Sequence, residues 1–182
     1  MKTIWIGLVL LLGGCAELGS PDPASPHLYS SGWTLRLDHP LTIEPGAATV
    51  RLQYGRIVPR NSVQEHDPFC VVELNTVGTG PQTVQPDRID VRRVRRSVSH
   101  IAAAPSLFFG TAFGGDYGSP TFLYYITEFQ LHSAAQPDLR AMTCAWNQMA
   151  PGNAGLMRHL TLDEIRSALG DWMQLLPPKR RL

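Results

Sequence analysis

The apolar positions along this chain change rhythm twice, and each rhythm predicts a different kind of element. From Ile4 to Leu12 they form one run broken only by Gly7. From Trp33 to Trp146 they alternate with polar residues in short stretches, the period of strands with one buried face. Trp33-Thr-Leu-Arg-Leu-Asp38 is the first, and Val50, Leu52 and Tyr54 alternate in the second until Gly55 breaks it. Further strands are predicted over 69–76, over Val84 to Val98 as one long strand or two joined by a bulge, over 106–110, over Thr121 to Leu131 and over 139–146. Glu44-Pro45-Gly46, residues 59–68, Gly78-Thr-Gly-Pro81 and the Gly-rich stretch Gly110 to Pro120 read as turns and loops.

After these strands the period lengthens. Leu162, Ile165, Leu169 and Trp172 fall at helical spacing and predict a helix over about 161–173. Thr161-Leu-Asp-Glu164 has the form of a capping box, in which hydroxyl and carboxylate each take the other residue's amide. Pro177 and Pro178 close the segment. The apolar stripe is expected to pack on the sheet. The fold class expected is mainly β: an antiparallel sandwich or partly closed barrel of about seven strands, with one C-terminal helix. No alternation of strands with helices points to a doubly wound parallel sheet.

Composition and charge narrow the picture. The 182 residues fit one domain with appendages, and 43 % hydrophobic against 17 % charged residues is the balance of a packed chain. The formal charge of +1 falls to near zero once Lys2 is removed with the leader. Global charge therefore predicts no attraction to nucleic acid or to an anionic membrane.

The first run carries an address. Lys2, an apolar stretch too short to span a bilayer, and small residues before a cut site make a secretory signal over 1–14. Leu12-Gly13-Gly14-Cys15 resembles the lipobox of bacterial lipoproteins. That resemblance implies cleavage before Cys15 and diacylglycerol on its thiol. Ala16, in the place where Asp favours inner-membrane retention, is compatible with export to the periplasmic face of the outer membrane. Residues 15–32, rich in Pro, Ser and Gly, read as the lipidated cysteine and its tether, with a reach of about 50 Å. The globular domain is expected over 33–176, and 177–182 is a basic tail with Lys179, Arg180 and Arg181. With Cys15 lipidated, Cys70 and Cys144 remain, and two thiols in an oxidising compartment tend to pair. Closing a loop of about 75 residues stabilises by about 4 kcal/mol at most.

Candidate chemistry is sparse. The chain has no nucleophile elbow, zincin helix, phosphate loop or dinucleotide-binding glycine pattern. Glu65-His66-Asp67 is the one compact acid and His cluster, readable as a metal or catalytic site or as a solvated loop; His39, His100 and His132 are scattered. Phe113 and Tyr117 sit in the Gly-rich stretch, a binding loop or a hairpin connection. The sharpest charge feature is Arg88, Arg92, Arg93, Arg95 and Arg96 within nine residues. On a regular strand Arg93 and Arg95 share one face while Arg92 and Arg96 share the other, so one patch forms only if a bulge shifts the register. Such a patch suits phosphate or carboxylate; otherwise these are the charges of a solvated edge strand.

The lipobox, the Pro-rich tether, Phe69-Cys70-Val-Val-Glu73 and Thr161-Leu-Asp-Glu-Ile-Arg-Ser-Ala-Leu-Gly170 together resemble small proteobacterial lipoproteins of unassigned function. The resemblance brings no catalytic residues and no cofactor. Three functions are carried forward. The first is a non-enzymatic envelope lipoprotein that binds or assembles a protein or envelope component. The second is a hydrolase or metal-dependent enzyme built from dispersed His and acidic residues, and the third an anionic-lipid-binding domain using Arg92, Arg93, Arg95 and Arg96.

Overall fold

A computed structural model describes residues 32–100, 121–150 and 152–178. The expected signal peptide, Cys15, the expected strand over 106–110, Phe113, Tyr117 and Lys179, Arg180 and Arg181 of the tail lie outside the described residues. Among the described residues ten strands and one α-helix follow one another: β1 (Thr34–Leu37), β2 (Leu41–Ile43), β3 (Thr49–Gln53), β4 (Arg56–Val58), β5 (Phe69–Leu74), β6 (Gln82–Val84), β7 (Asp87–His100), β8 (Thr121–His132), β9 (Leu139–Ala150), α1 (Leu162–Leu169) and β10 (Met173–Leu176). Eight strands form one antiparallel half-barrel in the order β10-β1-β7-β8-β9-β5-β3-β4, and β2 pairs with β6 in a separate ribbon. The expected mainly β, partly closed barrel with a C-terminal helix is therefore the architecture found.

Alternation fills the concave side. Leu35 and Leu37 of β1, Ile89 and Val91 of β7, Phe129 and Leu131 of β8, and Val72 of β5 are all buried. Cys70 and Cys144 stand directly opposite each other in the β5–β9 ladder, Cα atoms 4.1 Å apart, and are joined by a disulfide. Both are fully buried, so the crosslink is part of the core.

α1 packs against β3, β5 and β10, bridging the two ends of the open sheet. It buries Ile165, Ala168 and Leu169. The capping box at its start is complete: the Glu164 amide donates to the Thr161 hydroxyl, and the Thr161 amide donates to the Glu164 carboxylate.

Among the described residues β2, β4, β6 and β10 are strands outside the expected set of about seven, and the helix ends before its expected limit. β2, β4 and β6 are three residues each, too brief to display a period. The helix stops at Leu169 because Gly170 takes φ +56°, and β10 follows where the helical spacing extends to Trp172. Trp172 keeps the spacing but not the helix; its ring meets His39 edge-on at 5.6 Å. Tyr54, expected to continue the second strand, instead forms a two-residue hairpin turn with Gly55, at φ +52° and +71°. Two positive φ values match the twist of the flanking strands, and the second is left to glycine.

That turn meets the helix end. The Gly55 amide donates to the Ala168 carbonyl at 3.1 Å, and a Cβ on Gly170 would lie 2.4 Å from the Gly55 Cα. Gly170→Ala therefore combines a left-handed penalty with a backbone clash. Gly46, also at positive φ, has open space around it. Gly46→Ala is expected to cost about 1 kcal/mol and Gly170→Ala several times more in denaturant unfolding. Equal losses would show that the seam between turn and helix is not tight.

Candidate functional site

The arginines of β7 are sorted by one inserted residue. Val91 stands opposite Leu131 of β8, but the next paired residues are Arg93 and Gln130, which leaves Arg92 without a partner in the ladder. Val91 points to the core before this bulge and Val94 packs against the core after it. Both Arg92 and Arg93 thus lie on the outer face, where Arg95 joins them. Arg96 falls on the inner face opposite Thr127, a fully buried residue. The bulge unites three of the four candidate arginines and separates the fourth.

A second bulge faces the first across β8. In the β5–β9 ladder Glu73 pairs with Ala141 and Leu74 with Leu139, so Arg140 is the extra residue. Arg140 reaches Glu73 at 3.0 Å. The two bulges enclose an open groove of about 420 Å³ lined by Arg92, Arg95, Glu128, Gln130, His132 and Arg140. Among the described residues no carboxylate lies within ion-pair distance of Arg92, Arg93 or Arg95. Guanidinium groups gathered on one face present forked donors to a phosphate or carboxylate.

The groove is braced at its end. The Ser133 hydroxyl donates to Asp87 Oδ2 at 2.5 Å, and Gln136 holds both the amide and the carbonyl of Gln85. Hydrogen bonds from Ser133, the Arg88 amide and Gln136 keep the Asp87 carboxyl below its usual range, with burial opposing. The turn from β8 to β9 is thereby tied to the start of β7.

The Glu65-His66-Asp67 cluster opens out rather than converging. Glu65 accepts from the Tyr124 hydroxyl and from Asn147 Nδ2. Asp67 accepts from the Tyr54 hydroxyl, while the His66 ring lies 5.5 Å from Phe122. The Asn147 amide donates to the Glu65 carbonyl at 2.6 Å, so these contacts fasten the 59–68 loop over one end of β8 and β9. Among the described residues no three His, Cys, Asp or Glu side chains are grouped to hold a metal. His39 is against Trp172, His132 lines the groove and His100 ends β7; they do not meet.

Two further groups carry no local signal in the sequence. Arg158 holds both Glu164 oxygens at 2.8 Å and lies over the Trp146 ring, whose Nε1 donates to the Arg158 carbonyl. This pairing lowers the Glu164 carboxyl and raises the Arg158 guanidinium. On the inner face His159 meets Tyr125 edge-on at 5.8 Å, and its buried Nδ1 has no hydrogen-bond partner among the described residues. Burial, and then the charge of Arg96, push the His159 pKa below its ordinary 6.5, against a hydrogen bond with the Ile126 backbone. The strand partners of both groups are distant along the chain, which hides the arrangements from any local pattern.

The His159 shift has a definite sign. The unfolded chain takes up a proton near pH 6.5 and the folded chain only at lower pH, so stability is complete above 6.5 and falls as pH drops through the folded value. His159→Gln is expected to flatten the fall in denaturation midpoint between about pH 7 and pH 5; an unchanged slope would assign it to other groups. Compared with protein-family models, curated proteins and solved structures, the chain matches none, so its functional reading rests on its own residues.

Proposed function

We propose that this chain is a non-enzymatic lipoprotein of the bacterial cell envelope, anchored through Cys15 at the periplasmic face of the outer membrane. In this reading the β-rich domain is a binding or assembly module for an anionic envelope component. The observation that carries the binding role is the groove between the two bulges, where Arg92 and Arg95 stand with Arg140 and His132. The bulge puts Arg92 and Arg95 on one face, and a guanidinium presents forked donors that match a phosphate or carboxylate. The address rests on Lys2, the apolar run and Leu12-Gly13-Gly14-Cys15. The buried Cys70–Cys144 bond fits an oxidising compartment.

Acyl labelling of cells tests the address: label is expected on the wild-type chain and lost with Cys15→Ser. Continued labelling of the mutant would falsify the anchor. Crosslinking and capture from envelopes tests the binding role, using the mature Cys15→Ser chain with and without Arg92→Gln and Arg95→Gln. Losing two charged hydrogen-bonding groups is expected to reduce the captured component by about tenfold or more, and raised salt should weaken the remainder. Undiminished capture by the double variant would remove the groove from the function.

A further inference from the structure

We infer that the groove's ligand is the phosphate-bearing headgroups of the same membrane leaflet in which the chain is anchored. This rests on the reading above that Cys15 is lipidated. The new observation is where the chain enters the domain. The Gly32 amide donates to the Val91 carbonyl at 3.3 Å, and the Val91 amide donates to the Trp33 carbonyl at 2.9 Å. The first described residue is therefore hydrogen-bonded to the residue immediately before the bulged Arg92. The tether and the groove share one place on the domain.

That placement has a physical consequence. Residues 16–31 can hold Gly32 no farther than about 50 Å from the lipidated cysteine. An anionic surface within that reach is at high effective concentration for a groove beside the attachment point. Charge on this face points the same way. Arg88, Arg92, Arg93, Arg95 and Arg140 are exposed, while the carboxylates nearby on the same strands are Asp90, Glu128 and Glu73, the last already engaged by Arg140. The groove is small, polar and open, which suits one headgroup phosphate better than the broad apolar contact of a protein partner. The 59–68 loop covers the other end of β8 and β9. Acyl chains would supply the first membrane contact and the arginines a second, a pairing that holds far more firmly than either alone.

The test uses the mature Cys15→Ser chain and sedimentation with vesicles. Binding to vesicles containing phosphatidylglycerol is expected to exceed binding to pure phosphatidylcholine and to fall with salt. Arg92→Gln with Arg95→Gln should lower it by about twenty-five-fold, at roughly fivefold per charge. Arg166→Gln, on the exposed side of α1 and paired with Asp163, serves as the control and should leave it unchanged. In a second arm Cys15 of the mature chain, the one thiol outside the disulfide, is coupled to a maleimide lipid. Amide hydrogen exchange around residues 88–95 should then slow on phosphatidylglycerol vesicles and not on phosphatidylcholine. Equal binding to both vesicles, or no loss in the double variant, would overturn the proposal. So would binding of inorganic phosphate or an acidic protein without vesicle binding, since the groove would then serve another source of anion. Envelope capture that still depends on Arg92 and Arg95 while vesicle binding fails would overturn this inference and leave the proposed function standing.

Discussion

The rest of the molecule depends on the register of β8 against its two neighbours. Tyr125, Thr127, Phe129 and Leu131 alternate into the concave side, and β7 and β9 must turn their own apolar residues the same way. A strand's period of two makes this unforgiving, because a one-residue slip sends the whole buried set outward. β7 has one residue too many for that register, Arg92, while β9 pairs regularly with β8 and carries its extra residue, Arg140, against β5. The bulges are thus the means by which the core keeps its pattern. Their by-product is a charged groove on the opposite face. Core and candidate site are two sides of one constraint.

The open sheet raises a second problem, since among the described residues its end strands β10 and β4 have a neighbouring strand on one side only. α1 draws the two ends toward each other by packing on β3 and β5 from one end and β10 from the other. The contact is close enough that neither Gly55 nor Gly170 tolerates a Cβ without backbone movement. Glu164 fastens the start of the same helix, accepting from the Thr161 amide and from Arg158, whose guanidinium lies over Trp146 of β9. Loss of that carboxylate's charge would loosen cap and strand contact together. The disulfide works on the same half, binding β5 to β9 where the sheet curves toward the helix.

How far the sequence discloses this fold follows from distance along the chain. Alternation in Trp33–Asp38 and Thr121–Leu131 is a local signal, and so is the Thr161–Glu164 box; each is legible from its own few residues. The long β7 is legible too, including the possibility of a bulge, because five arginines among alternating valines fit no single face. Which residue bulges is not, since that is decided by pairing with Gln130 and Leu131, some forty positions away. Arg140 and His132 carry no local mark of a site at all. β10 is masked by Trp172, whose spacing imitates one more helical turn, although the positive φ of Gly170 has already ended the helix.

Charge makes the same point on a larger scale. The formal net charge of the chain is only +1, and a total of that kind gives no reason to expect attraction to an anionic surface. What matters within about 10 Å, the screening length at moderate salt, is which charges face one another. Glu164, Glu65 and Asp67 are committed to Arg158, Tyr124 and Tyr54, away from the groove. Arg92, Arg93 and Arg95 are left on one face by a single inserted residue. The fold gathers Arg92, Arg93 and Arg95 on a face where Asp90 and Glu128 are the carboxylates left without an ion pair among the described residues. It does so beside the point where the chain enters the domain, so the polarity of the molecule is set by how its strands count and not by how many charges it carries.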